Sequence, residues 1–172
     1  MSELNDLLEH TDRYRAITLQ FLDLLDDDEL DWRPSADAYS CGQQLVHIAA
    51  TEDFYTHGLF ADAWDTDRVR LPKTSPSKPE LRALFQRVRA AFRDRLATLV
   101  DADLERTVAS PFSPAPLTLR WWLWFLVEHE IHHKAQLGIY VRQLGKVAPF
   151  YAYPYPPGER PDIPAREQLG GF

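Results

Sequence analysis

Apolar residues recur at intervals of three and four positions in four stretches of the chain, which is the pattern of amphipathic α-helices. In the first stretch the recurring positions are Leu4, Leu7, Leu8, Tyr14, Ile17, Phe21, Leu24 and Leu25. No stretch alternates between apolar and polar residues in the way that indicates a β-strand. The pattern therefore predicts an all-α fold, with helices at about residues 3–26, 41–60, 79–100 and 118–144.

Local motifs mark where these helices begin and end. SCGQ, which starts at Ser40, and SKPE, which starts at Ser77, have the form of a capping box, in which two side chains satisfy free backbone N–H groups. Gly145 lies where it can end the fourth helix. The connections between the helices are about 14–18 residues long, more than a simple up-and-down bundle needs, so crossover connections are feasible.

Composition places the chain among ordinary soluble proteins. Its 172 residues, 45% of them hydrophobic and 26% charged, are enough for one domain with a substantial core, and we expect a single domain over residues 1–172. The most apolar stretch, LRWWLWFLV, is far shorter than the roughly 20 residues that span a bilayer, so no membrane partner is expected. The acidic start, MSELNDLL, does not resemble a secretory signal and favours a cytoplasmic location.

Charge and cysteine content narrow the function further. A net charge of −7 argues against a nucleic-acid partner, because that binding depends on clustered Lys and Arg. The single cysteine, Cys41, cannot form an internal disulfide, and we interpret it as a small packing residue rather than a nucleophile. The proline-rich tail, residues 146–172, is predicted to be irregular. Its aromatic residues suggest docking over the bundle or on a partner subunit: Phe150, Tyr151, Tyr153 and Tyr155.

The stretch VEHEIHHKAQ carries the most informative chemistry. His129 and His133 are four residues apart, so on a helix they lie on one face and can bind one ion together. Their stripe continues through apolar residues that are typical of a bundle core: Trp122, Leu126, Leu137 and Tyr140. His132 lies roughly 60° away around the helix and is interpreted as a flanking residue.

His47, in the second predicted helix, also points inward, because it shares a stripe with Gln43, Ala50 and Phe54. Three inward histidines on two helices indicate a shared metal ion, although imidazoles can also be buried for packing alone. Three neutral imidazoles leave the charge of a divalent ion uncompensated and a coordination position open, which is typical of catalytic sites. We expect one divalent ion per chain, with zinc or nickel favoured by the nitrogen ligands, while manganese or iron would also fit.

His129, Glu130 and His133 match the HExxH motif of zinc proteases. Such enzymes need a substrate-aligning strand before the motif and a third ligand after it. Here the preceding segments are helical and the only acids downstream lie in the proline-rich tail. The protease interpretation is therefore disfavoured.

Two phrases resemble the DinB-like family of four-helix bundles, in which metalloenzymes occur. YSCGQQLVHIAATEDF contains the family's His-Ile/Leu-Ala-x-x-Glu phrase, from His47 to Glu52, and EHEIHHKAQLGIYVRQLG is similar to its His-x-x-x-His-Arg-Gly-Gln phrase. This chain departs from the second phrase at Lys134, where the family has arginine, and at Ala135, where it has glycine. The likeness covers nearly the whole chain.

The resemblance implies a metal site at His47, His129 and His133, an up-down-down-up bundle with a long crossover between its second and third helices, and a homodimer. Characterised members include thiol-dependent enzymes, namely bacillithiol S-transferases and a mycothiol-dependent maleylpyruvate isomerase. We therefore expect an enzyme whose metal activates a low-molecular-weight thiol or water, as an S-transferase or a hydrolase. Two alternatives stay open, a non-catalytic metal-binding stress-response module and an interaction bundle without metal.

The second ring nitrogen of each ligand histidine needs a partner that orients the ring. The nearest candidates in the sequence are Glu52, Gln136 and Glu130. Glu130 is the least favoured of the three, because it lies about 100° around the helix from His129.

Overall fold

Four long helices form the molecule in the computed structural model, which describes residues 2–151, 153 and 154. They are α1 (Glu3–Leu24), α2 (Cys41–Ala61), α3 (Lys78–Leu96) and α4 (Leu119–Gln143). Short 3₁₀ turns lie at Asp27–Glu29, Thr66–Val69 and Asp101–Glu105. A minimal antiparallel pair, β1 (Thr107–Val108) and β2 (Leu117–Thr118), precedes α4. The predicted all-α four-helix fold is confirmed.

Capping side chains fix the starts of the two central helices. The Ser40 hydroxyl accepts a hydrogen bond from the backbone N–H of Gln43 at 3.1 Å, and the Gln43 side chain accepts one in return from the Ser40 N–H at 3.0 Å. At α3, the backbone N–H of Ser77 donates to the Glu80 carboxylate at 2.8 Å. Both capping boxes were expected from the sequence.

Two helices end earlier than the apolar pattern indicates. α1 stops at Leu24 rather than near residue 26, because Asp26 caps a separate turn in which its N–H donates to the Glu29 carboxylate at 2.7 Å. α3 stops at Leu96 rather than near residue 100, where the hydroxyl of Thr98 donates to the carbonyl of Arg95 at 2.7 Å. In both places a local side-chain hydrogen bond competes with the helical one.

Contacts between helices set their directions. α1 and α4 run in the same direction. Glu3, in the first turn of α1, forms an ion pair at 2.7 Å with Arg120, in the first turn of α4. α2 and α4 are antiparallel, since Gln44, early in α2, donates to the Tyr140 hydroxyl, late in α4, at 3.3 Å. His47 can therefore meet the middle of α4.

The crossover from α2 to α3, residues 62–77, returns the chain to the start of α2 and makes α2 and α3 parallel. Its end lies against the cap of α2, where the hydroxyls of Ser75 and Ser40 are 3.1 Å apart. Its beginning also packs directly on α2, since a Cβ at Gly58 would lie 2.3 Å from the Trp64 ring. The four directions give the expected up-down-down-up topology.

The core consists of two apolar clusters with a buried polar layer between them. One cluster contains Ile17, Phe21, Leu45, Phe85 and Leu137, and the other contains Leu7, Phe54, Phe92, Trp122 and Leu123. The polar layer includes Arg15, Glu52, Arg89, Glu130 and His133, each of which is at most 8% exposed. Among the described residues, no helix combines the length and the apolar character that a membrane span requires.

The start of the tail packs on the bundle. Ala148 is buried, and the carbonyl of Tyr151 accepts a hydrogen bond from the Lys134 ammonium at 2.8 Å. The rings of Tyr151 and Tyr153 are largely exposed. Tyr155, the last aromatic residue of the predicted docking segment, lies outside the described residues.

Candidate metal centre

The structure brings together the three histidines predicted as metal ligands. His129 and His133 lie one turn apart on α4, and His47 faces them from the antiparallel α2. Each ring offers one nitrogen, and the three donor atoms all lie within 4.8 Å of one another. The ring centroids are 4.4 to 5.0 Å apart. The three imidazole rings therefore converge on a common point.

The separation of the ring nitrogens fits a divalent ion. Nε2 of His47 and Nε2 of His129 are 3.2 Å apart. Two nitrogen ligands of a tetrahedral zinc ion, with bonds of about 2.0–2.1 Å, are separated by roughly 3.3–3.4 Å. In a metal-free protein the same separation suits an N–H···N hydrogen bond, which requires that only one of the two atoms carries a proton.

All three imidazoles are held in the neutral form that metal ligation needs. Burial, followed by the neighbouring His133 and His47, lowers the pKa of His129 to about 3. Burial, followed by His47 and His132, lowers the pKa of His133 to about 4. Burial also lowers the pKa of His47. At neutral pH, protons therefore compete only weakly with a metal ion for these ring nitrogens.

A chain of hydrogen bonds orients His133. Its Nδ1 lies 2.7 Å from Oε1 of Gln44, and Nε2 of Gln44 donates to Oε1 of Gln136 at 2.6 Å. Nε2 of Gln136 lies 2.8 Å from Nε2 of His132. Because an amide oxygen can only accept, Nδ1 of His133 carries the proton and Nε2 keeps its lone pair for an ion.

Gln44 is the site residue that the sequence reasoning missed. Gln43 was placed on the stripe of His47, but its side chain caps α2 and also donates to the carbonyl of Pro72 at 2.9 Å. Gln44 lies three residues before His47, a spacing that puts it on the same helix face and could have identified it. Gln136 was a predicted partner of the histidines, and it accepts a hydrogen bond from Gln44, the residue that contacts His133.

Glu52 and Glu130 do not have the role predicted for them, because two buried arginines bind their carboxylates. Arg15 donates to Glu130 and to Glu52 at 2.9 Å each, and Arg89 lies 2.9 Å from Glu52. The Thr18 hydroxyl donates to Glu130 at 2.7 Å. Burial alone would raise the pKa of Glu130, but Arg15 and Arg89 outweigh it and keep that pKa below its ordinary value. These glutamates belong to a buried ion cluster.

An apolar cavity of about 200 Å³ lies beside the histidines. It is lined by His47, Thr51, Phe54, Tyr55, Val69, Phe112, Phe125 and His129. Val69 comes from the crossover and Phe112 from the connection between β1 and β2. Two of the three candidate ligand histidines thus form one wall of a pocket whose other walls are mainly aromatic.

Cys41 contributes no nucleophile to this site. Its side chain is fully buried. Burial, and then the charge of Glu29, raise the pKa of its thiol to about 12, so the thiol stays protonated at neutral pH. The packing role predicted for this residue agrees with its surroundings.

Comparisons with known proteins agree with this architecture. YjoA from Bacillus subtilis (strain 168) is 24% identical over 152 residues, which cover 88% of this chain and 97% of YjoA. The crystal structure of YjoA has a TM-score of 0.70 at 22% identity and covers 86% of this chain and 99% of its own. A DinB-like protein from Bacillus cereus ATCC 10987 has a TM-score of 0.68 at 22% identity, with coverages of 84% and 94%.

A further structural relative, YfiT from Bacillus subtilis, is described as a probable metal-dependent hydrolase with an unusual four-helix bundle topology. Its TM-score is 0.65 at 19% identity, and the match covers 84% of this chain and 90% of YfiT. The family model of the DinB superfamily matches residues 10–137, a span that contains all three histidines. Because this match extends over more than half of the sequence, the chain belongs to the DinB superfamily.

Proposed function

We propose that this protein is a metal-dependent hydrolase whose substrate carries an apolar or aromatic group next to the bond that is cleaved. The observation that carries the proposal is the convergence of His47, His129 and His133 at the wall of an apolar cavity. The similarity to YfiT, itself described as a probable metal-dependent hydrolase, supports the same reaction class.

In this proposal His47, His129 and His133 hold one divalent ion, with zinc or nickel favoured by three nitrogen donors. When bound, such an ion supplies a Lewis acid that polarises the substrate and lowers the pKa of water or of a thiol. Gln44 holds the proton of His133 on Nδ1, which directs Nε2 towards the ion. The three-histidine set leaves room for a substrate or solvent ligand.

The aromatic walls of the cavity bind the apolar part of the substrate and keep bulk water away from the site. Phe54, Tyr55, Phe112 and Phe125 supply these aromatic walls. None of the residues that line this described cavity is Lys or Arg. Glutathione and bacillithiol carry carboxylates that such cations would bind, so the lining favours hydrolysis of an uncharged substrate over thiol transfer.

Metal content tests the first part of the proposal. Untagged wild-type protein should hold about one divalent ion per chain by elemental analysis, and His47→Ala and His133→Ala should lose most of it. His57→Ala is the matched control, because His57 lies on the same helix as His47 but donates from Nδ1 to the Asp53 carbonyl at 2.8 Å. Equal, substoichiometric metal in wild type and in both site variants would disprove metal binding.

Activity tests the second part. Protein loaded with zinc, nickel, manganese or iron should hydrolyse members of a panel of aryl and alkyl esters and amides, and His133→Ala should abolish turnover. Phe125→Ala should keep the metal but raise KM for aryl substrates, because it removes one aromatic wall. The protein would instead be a thiol transferase if it consumes glutathione, bacillithiol or mycothiol in a metal-dependent reaction with electrophiles and hydrolyses none of the panel. If neither hydrolysis nor thiol consumption is detected, the protein is a metal-binding module without turnover.

A further inference from the structure

A second cavity lies between α1, α4 and the first residues of the tail. Its volume is about 300 Å³, at the lower end of the range for small-molecule sites. It is lined by Tyr14, Phe21, Ile131, Lys134, Ala135, Gly138, Arg142, Ala148, Pro149 and Tyr151. None of these residues lines the cavity beside the histidines, so the two cavities are separate.

Lys134 places a buried cation in this second cavity. The residue is 4% exposed, and its ammonium donates to the carbonyl of Tyr151 and lies 4.2 Å from the centroid of the Tyr14 ring. Within the described part of the chain, no carboxylate lies within ion-pair distance of it. Glu130 acts on Lys134 only from a distance, because Arg15 already binds that carboxylate.

Arg142 adds a second cation to the same cavity. Its guanidinium donates to the carbonyl of Gly138 at 2.6 Å, which uses one of its five N–H donors. No ion pair with a carboxylate is formed by Arg142 among the residues that the structure describes. The rest of the lining is largely apolar and aromatic, with Phe21 and Ile131 on the helices and Pro149 on the tail.

We propose that this cavity binds a small amphipathic carboxylate, an organic anion with one carboxylate and an apolar chain or ring. A buried ammonium without an anionic partner is unfavourable, and a carboxylate ligand would supply that partner through charge-assisted hydrogen bonds. The apolar lining favours a hydrocarbon body, and the volume limits its size. This site does not depend on the metal centre or on the hydrolase function.

Calorimetric titration of the full chain with octanoate and with octanol tests the charge and the apolar body together. Octanoate should bind at least about tenfold more tightly than octanol, since a hydrogen bond to a charged group contributes about that factor or more. Lys134→Met should weaken octanoate binding by at least about tenfold and leave octanol unchanged. Lys73→Met, which removes an exposed lysine of the crossover, is the matched control and should bind octanoate as wild type does.

Two further variants keep the proposal testable if Lys134→Met does not fold. Arg142→Met and Ala135→Leu change exposed positions at the cavity. The first should weaken octanoate selectively, and the second should weaken both ligands because its side chain occupies the cavity. Equal binding of octanoate and octanol, or octanoate binding unchanged in Lys134→Met and Arg142→Met, would overturn the proposal. So would a change in molar mass on sizing of Ala135→Leu, which would assign the cavity to a subunit contact.

Discussion

At the residue scale, the position of one proton decides whether His133 can serve as a ligand. Its Nδ1 faces Oε1 of Gln44 at 2.7 Å, so the proton is held there and Nε2 carries the lone pair. Nδ1 of His47 is buried and has no hydrogen-bond partner within the described part of the chain. Gln44 therefore orients one candidate ligand of the proposed site, His133.

Replacing Gln44 should weaken metal binding without removing a ligand. Gln44→Leu is expected to lower zinc affinity by about 10–100-fold, the usual effect of losing the partner of a ligand histidine. Competition with a chromophoric chelator measures the affinity. Gln86→Leu, an exposed position on α3, is the control. Equal affinities in wild type and Gln44→Leu would show that the hydrogen bond does not tune the site.

The histidines should also make the metal-free protein sensitive to acid. Their ordinary pKa is 6.5, whereas His129 and His133 have pKa values of about 3 and about 4 in the folded state. Between these values the unfolded chain binds protons that the folded chain does not. The free energy of unfolding should therefore fall as the pH falls from about 6.5 towards 4, and these histidines should have no effect above about pH 7.

Urea titrations in the presence of EDTA at pH 7.5 and 5.5 measure this effect. Each histidine contributes at most about 1.4 kcal/mol per pH unit, and the half-buried His129 contributes less because solvent reaches it. His129→Gln should lose less stability between the two pH values than wild type does. An identical loss in both proteins would assign the acid sensitivity to other groups.

At the residue scale the sequence predicted which histidines converge, but it did not predict the side chains that contact them. His47, His129 and His133 could be placed because helical spacing and apolar neighbours define an inward face. Gln43 and Gln44 are adjacent, and both lie near that face, so periodicity does not separate them. The capping box at Ser40 does separate them, because it assigns Gln43 to the helix end.

At the scale of elements, a buried ion cluster joins all four helices. Arg15 of α1 and Arg89 of α3 bind Glu52 of α2 and Glu130 of α4. The sequence pattern did not reveal the burial of these arginines. A charged residue fits the helical spacing whether it is buried or exposed, so the sequence pattern does not distinguish the two cases. Whether the charge is paired inside the core depends on the side chains of the opposing helix.

Breaking this cluster should be strongly destabilising. Arg15→Met is expected to lower the free energy of unfolding by about 3–5 kcal/mol, because it leaves buried carboxylates without their partner. Arg82→Met is the control, since it removes an ion pair with Asp23 in which both side chains are more than 40% exposed, and about 0–1 kcal/mol is expected. Chemical denaturation measures both. Similar losses in the two variants would mean that the buried cluster contributes no more than a surface pair.

At the scale of the molecule, the crossover topology creates the site. Because α2 runs antiparallel to α4, His47 meets His129 and His133 halfway along the bundle. Val69 and Phe112, which come from long connections, complete the adjacent cavity. Helical periodicity predicted the four helices, but these connections have no periodicity, so their packing over the site could not be predicted from sequence.

The first residues of the tail contact the bundle through the buried Lys134. Deleting residues 149–172 removes the Tyr151 carbonyl, which is the hydrogen-bond acceptor of the buried Lys134 ammonium. A loss of about 1–3 kcal/mol is expected for an unsatisfied buried donor, and the melting temperature should fall by several degrees. Differential scanning calorimetry measures the shift, and sizing with light scattering detects any change in oligomeric state.

Tyr151→Ala separates the backbone contact from the side chain. Its ring is 74% exposed, and the substitution keeps the carbonyl that Lys134 binds, so a melting temperature close to that of wild type is expected. If the deletion leaves both the melting curve and the sizing profile unchanged, the tail does not stabilise the bundle. If the deletion changes the molar mass while Tyr151→Ala does not, the tail contributes to a subunit contact through residues other than this ring.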